Sequence, residues 1–130
     1  MRVVFDTNIY ISAIVLPGSS ADRAIQRILD GRDRLLISKP ILDEVLTTLA
    51  RKFSRDADAL SRTALLLTEL AELVHPKERV RVFSDDPDNR ILECAIAGQA
   101  KAIVTGDKAM LAIEMSHGVR ILSLSAYLRR

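Results

Sequence analysis

Five short apolar runs, separated by longer stretches of helical periodicity, set the strongest limit on what this chain can become. The runs are Arg2–Asp6 (RVVFD), Leu35–Ser38 (LLIS), Leu73–His75 (LVH), Ala102–Thr105 (AIVT) and Val119–Ser123 (VRILS). They are apolar almost throughout, as strands buried on both faces are. The stretches between them read as helices. Ser20–Asp30 spaces Ala21, Ala24, Ile25 and Ile28 at i, i+3, i+4 and stops at Gly31. Ile41–Phe53 carries Ile41, Val45, Leu49 and Phe53 on one stripe, and Asn89–Gln99 carries Ile91, Leu92, Ala95 and Ile96. Ile9–Leu16 and Ala57–Leu70 are further helices, a short one should follow Asp107, and another should close the chain. Strand and helix in alternation, with short links, predict an α/β fold: a parallel sheet covered on both faces. In such sheets ligands bind beyond the carboxyl ends of the strands.

The 130 residues read as a single domain spanning 1–130. That length buries about two-thirds of the unfolded surface, so neither disulfide nor metal is needed to fold. With 4% aromatic residues and no Trp, the core must be built from Ala, Leu, Ile and Val. Asp6 interrupts the opening too early for a signal peptide. No apolar run approaches the ~20 residues that span a bilayer. The single cysteine, Cys94, excludes an internal disulfide and a multi-cysteine metal site, and a cytoplasmic protein is expected. A net charge of +2 permits a nucleic-acid partner without arguing for one.

The acids are more informative. Asp6 ends the first strand. Asp107 follows AIVT in TGDKAML. Glu44 lies in the early turns of the helix after LLIS, and Asp88 lies in SDDPDNR before the helix that leads to AIVT. All four are expected at the carboxyl edge of the sheet. Each also has an ordinary structural role open to it. Asp88 and Asp107 make good helix N-caps, Glu44 complements a helix dipole, and Asp85 and Asp86 suit a turn at Pro87. Asp6 is the hardest to explain that way, because a carboxylate set against a buried sheet needs a partner. Neighbouring acids would raise its pKa further. A hard divalent cation, Mg²⁺ or Mn²⁺, removes the conflict and takes carboxylate oxygens readily. Such a site can lower the pKa of water and stabilise charge at phosphorus.

The segments FDTNIYIS, ISKPILDEVLTTLARKF and DPDNRILECAIAGQAKAIVTGDKAML, in this order and spacing, resemble the PIN-domain ribonucleases. The similarity is greatest to the small single-domain toxins of toxin–antitoxin pairs. The resemblance implies a three-layer α/β/α fold with a five-stranded parallel sheet between helical layers. It implies an endoribonuclease that hydrolyses RNA phosphodiester bonds, dependent on one or two Mg²⁺ or Mn²⁺ ions. By position it makes Asp6, Glu44, Asp88 and Asp107 the catalytic and metal-holding acids. Asn8 and Thr105 match the polar residues that support them by hydrogen bonding. Many relatives carry an acid directly after the third; here Asn89 stands there, and Asp86, two residues before Asp88, competes for the same role. The resemblance also implies single-stranded RNA as substrate, a cognate antitoxin and a homodimer.

Lys39, Arg90 and Lys108 adjoin the acids in sequence, either to meet phosphates or as solvated surface charges. Arg51, Lys52 and Arg55 form one basic group and Lys77, Arg79 and Arg81 another, and either could guide an RNA backbone. Phe5 and Phe53 are expected in the core, which leaves little platform for base stacking. Cys94 reads as a small core residue. His75 and His117 read as surface or edge residues, and Glu93 turns either toward the site or to solvent. Three rivals stand beside the nuclease. A haloacid-dehalogenase-type nucleophile strand would want a second Asp where Asn8 stands, and a receiver domain would want its acceptor on a middle strand that offers none. A PIN-like module used only for binding has no support from the acids, all four of which are present. RNA processing without a toxin role is the nearest alternative.

Overall fold

A computed structural model describes residues 1–130. The chain orders its elements as β1 (Arg2–Phe5), α1 (Thr7–Val15), α2 (Ser20–Leu29), β2 (Arg34–Ser38), α3 (Lys39–Lys52), α4 (Ala57–Leu70), β3 (Glu72–Val74), α5 (Asp86–Ala97), β4 (Ala102–Val104), α6 (Lys108–Ile113), β5 (Met115–Ser116), β6 (Val119–Leu122) and α7 (Leu124–Leu128). The strands form one sheet in the order β3-β2-β1-β4-β6-β5, flanked by helices. β1, β2, β3, β4 and β6 are parallel, with Val4 level with Leu36 on one side and Ile103 on the other. No helix is long and apolar enough to cross a membrane.

The sheet has six strands, not the expected five. The sixth, β5, pairs antiparallel with β6. The two join through His117 and Gly118, both at positive φ (52° and 78°), the geometry that tight hairpins require. Two residues are too few to show an alternating pattern, so the strand has no signature of its own. A second difference bears on the site. α5 begins at Asp86, not Asn89, because Pro87 fits the first helical turn and its missing N–H leaves no bond unmade there. Asp88 is therefore inside the first turn, and Asp85 is the N-cap residue.

The core follows the apolar runs. Val3, Val4, Phe5, Leu36, Ile37, Ile103 and Val104 have no exposed surface. The Phe5 ring meets Tyr10 of α1 at 6.0 Å and Tyr127 of α7 at 5.7 Å between centroids. α5 lies against β1, β2 and β4 and ends at Gly98, where an added Cβ would stand 2.6 Å from Leu36 Cδ1. Only glycine lets α5 approach β2 that closely. Phe53, expected in the core, keeps 39% of its surface exposed at the C-cap of α3. The apolar stripe of that helix ends at Leu49, one turn earlier.

At the amino edge of the sheet, acids are matched with cations. The Met1 ammonium lies 2.7 Å from Asp33 Oδ1, and Arg27 and the Tyr127 hydroxyl both donate to Asp33 Oδ2. Burial works against the Asp33 carboxylate, but the ammonium, Tyr127 and Arg27 outweigh it and hold its pKa below the ordinary value. Arg2 and Arg34 both donate to Glu72 and hold its pKa down in the same way. A hollow of 470 Å³ opens beside this network, lined in part by Arg32, Asp33 and Glu69. It lies at the far end of the sheet from the acids discussed next.

Candidate active site

The carboxyl edge is built in the opposite way. β1 delivers Asp6, whose backbone N–H donates to Val104 O at 2.9 Å, so the residue is held in the sheet before the chain turns into α1. Asp6 is 5% exposed and does not cap α1 with its side chain. Its Oδ2 instead accepts from the Thr105 hydroxyl at 2.6 Å. That hydroxyl in turn accepts from Asp107 N–H at 3.0 Å. Asp107 Oδ1 caps α6 by accepting from Met110 N–H at 3.0 Å, as an N-cap aspartate should.

Glu44 stands half-buried on the sixth residue of α3, close to the edge where that helix starts. Asp88 is buried in the first turn of α5. Electrostatics shows that these acids share one space. Burial raises the pKa of Asp6, with Asp107 adding to the rise, while Thr105 and the backbone N–H groups of Thr7 and Asn8 oppose it. Burial raises Glu44, and Asp6 and Asp85 raise it further, while the Thr7 hydroxyl nearby favours the charged form. Asp88 is pushed up to about 7 by burial and by the charges of Asp6, Asp107, Asp85 and Glu44. The leading causes at Asp88 all act in the same direction. The four acids named from the sequence are thus brought together, although no three of them are gathered closely enough to hold an ion between them as they stand.

Asp85, the N-cap of α5, acts on both Glu44 and Asp88 and joins the group. Asp85 is exposed, and the sequence does not single it out among the three acids of SDDPDNR. Asp86 does not join. It is exposed and tied to Arg90 at 3.4 Å and to the Asn89 amide. Thr7, also unmarked by the sequence, has a buried hydroxyl with no hydrogen-bond partner.

The other candidates are less central. Thr105 hydrogen-bonds Asp6 and the Asp107 backbone. Asn8 is exposed and makes no side-chain hydrogen bond to them, so only its backbone N–H bears on Asp6. Lys39 is exposed and paired with Asp43 at 2.7 Å. Lys108 is exposed beside Asp107. Arg90 is not free: Glu93 and Asp86 hold its guanidinium at 2.8 Å and 3.4 Å.

Glu93 turns neither to solvent nor to the acids. It is buried and accepts from Val80 N–H at 2.9 Å as well as from Arg90. Asn89 works beside it. Its oxygen accepts from Val82 and Phe83 N–H, and its nitrogen donates to Phe83 O. The two side chains bind the segment before Asp85 onto α5. Cys94 is buried, and burial pushes its thiol up to about 12, which makes it a core residue and not a nucleophile. His75 and His117 are exposed and line one hollow of 340 Å³ with Glu93.

The donor set fits a hard divalent cation. It is all oxygen, and its negative charges repel one another, whereas Asp33 and Glu72 at the amino edge are matched with cations. Asp6, Glu44, Asp88 and Asp107, with Asp85 beside them, are the residues that could hold one.

The chain is similar to several known proteins. It is 25% identical over 117 residues to an uncharacterized protein of Methanocaldococcus jannaschii, covering 87% of this chain and 75% of that one. Its fold superposes on a chain of VapBC2 from Rickettsia felis, solved bound to a DNA fragment from its promoter, with a TM-score of 0.67 at 16% identity, covering 95% of this chain and 98% of that one. It superposes equally on a chain of VapBC-1 from nontypeable Haemophilus influenzae, with a TM-score of 0.67 at 19% identity, covering 96% and 99%. The sequence pattern of the PIN domain matches residues 2–109, which takes in the whole acid cluster, and the chain therefore belongs to the PIN domain family.

Proposed function

We propose that this protein is a metal-dependent endoribonuclease, and the toxin component of a toxin–antitoxin pair. PIN domains are a family of nucleases, which supplies the reaction class. One observation carries the rest: at the carboxyl edge, burial and the charges of Asp6, Asp107, Asp85 and Glu44 together push Asp88 up to about 7. The amino edge shows that this chain can neutralise buried acids when only stability is at stake. An unneutralised cluster at the mouth fits a site that waits for Mg²⁺ or Mn²⁺.

In this reading Asp6 and Asp88 would hold the metal, Glu44 would hold a second ion or orient a water, and Asp107 would contribute through water. When bound, the ion would lower the pKa of water and offset charge on the phosphodiester. Thr105 holds Asp6 and the Asp107 backbone in register. A partner of the antitoxin kind is supported by the two VapBC neighbours and by Leu65 and Leu66, which stand exposed on α4.

The test is cleavage of end-labelled single-stranded RNA by purified protein, with Mn²⁺, Mg²⁺ or EDTA. Cutting should require the ion and disappear in Asp6→Asn. Equal cleavage by wild type and Asp6→Asn would overturn the nuclease reading. Induced expression should arrest growth of the host; normal growth would overturn the toxin role. A light-scattering mass of 14.4 kDa, that of one chain, would overturn the homodimer.

A further inference from the structure

We infer that the segment between β3 and α5 is a phosphate-binding strap that guides single-stranded RNA to the acid mouth. The segment runs from His75 to Asp85 without regular structure, yet it is fastened to α5 at Val80 by Glu93 and at Val82 and Phe83 by Asn89. The fastening fixes which side chains face out. Val80 and Val82 are half-buried against the core and Phe83 is buried, whereas Arg79 and Arg81, alternating with the valines, are exposed. Arg79, Arg81 and Lys77 form no ion pair, whereas Arg90 beneath them does. Two grooves adjoin the strap, of 240 Å³ and 310 Å³, and both are lined by Arg79 and Arg90. Arg90 is already held by Glu93 and Asp86, so it serves as a fixed floor, while Arg79 and Arg81 remain free for a ligand.

The chemistry is that of a polyanion, and the place selects which one. The strap ends at Asp85, whose charge acts on Glu44 and Asp88. One run of backbone thus leads from free guanidinium groups to the carboxylate cluster. A chain of phosphates lying along the arginines would be delivered to the acids without any base being read, which suits a protein with few exposed aromatic residues. This inference rests on the nuclease reading for the identity of the polyanion, but its own claim is about binding.

The experiment measures binding with cutting suppressed. Fluorescence anisotropy would follow a labelled single-stranded RNA of about 12 nucleotides, in EDTA, over a series of salt concentrations. Wild type would be compared with Arg79→Gln/Arg81→Gln and with Arg51→Gln/Arg55→Gln. The latter pair removes equal charge from the last turn of α3 and the loop after it, Arg51 standing about 10 Å along the helix from Glu44. The strap double variant should bind about tenfold more weakly, and its salt slope should fall by about 1.4, or about 0.7 for each phosphate that is no longer neutralised. The α3 double variant should stay within about twofold of wild type. Equal weakening by both, or by neither, would overturn the strap. So would strap-dependent binding of a poly-glutamate peptide without binding of RNA, since that would mark a surface for an acidic protein. Strap-dependent RNA binding by a protein that never cleaves would sink the nuclease reading and keep the strap. Metal-dependent cleavage with no strap dependence of binding would do the reverse.

Discussion

The Thr105 hydroxyl donates to Asp6 Oδ2 at 2.6 Å and accepts from the Asp107 backbone N–H at 3.0 Å. One side chain at the end of β4 therefore sets the position of an acid on β1 and of the turn that carries another. Thr105 has no exposed surface, so no water can replace it without rearrangement.

Thr105→Val keeps the shape and removes both bonds. RNA cleavage should fall about 10–100-fold, the usual effect of removing a residue that orients a metal-site ligand. Stability should fall by only about 1 kcal/mol, because the buried Asp107 N–H loses its acceptor. Thr105→Ser should restore most of the activity. Cleavage rates with a parallel thermal melt would check this; full activity in Thr105→Val would show that Asp6 needs no orientation.

Asp88 makes the metal-free protein sensitive to pH in a direction opposite to ordinary acid unfolding. Its folded pKa is raised from 3.8 to about 7, so between those values the folded state holds the proton more tightly than the unfolded chain. Stability from this group is present at low pH and is lost as pH rises toward 7. Asp88 has little exposed surface but sits at a mouth, where solvent screens part of the penalty. In EDTA, Asp88→Asn should therefore melt a few degrees higher than wild type at pH 8 and show a smaller gain at pH 5. Added Mn²⁺ should reverse the order, since ion at ~100 times its dissociation constant stabilises by about 2.7 kcal/mol only where it binds. Melting curves at the two pH values, with and without the ion, would check both halves.

Asn89 should matter for the strap and not for the acids directly. Asn89→Ala leaves the N–H groups of Val82 and Phe83 and the oxygen of Phe83 without partners, at a cost of about 2–3 kcal/mol. The loss should be local, and limited proteolysis should cut after Arg79 or Arg81 faster than in wild type. Asn89→Asp, which keeps the acceptor and loses the donor, should fall between the two. An unchanged cleavage pattern would mean that the segment is held by Val80 and Glu93 alone.

Much of this protein is written in its local sequence. The five parallel strands lie on the apolar runs, although β3 leaves Leu73 exposed and β6 leaves Arg120 exposed. α4 has the bounds that its periodicity implies, because Asp56 caps it at Ala59 N–H. Strand order alone places Asp6 and Asp107 at the carboxyl edge, since each follows closely on a buried strand. What the sequence could not hold was direction. The resemblance marks Asp88 among Asp85, Asp86 and Asp88, but only the start of α5 at Asp86 buries Asp88 and leaves Asp86 exposed beside Arg90. Asn89 stands in the sequence only as an amide where an acid is common, and Glu93 as a charge of open direction. Packing makes them the clasps of the strap, because their partners are backbone groups that no side-chain pattern marks. β5 exists only because β6 offers an edge to pair with. Local patterns thus determined the elements and the acids at their ends, whereas the rotation of each helix and the destination of each buried hydrogen bond were decided by tertiary packing, which sums contacts from distant parts of the chain.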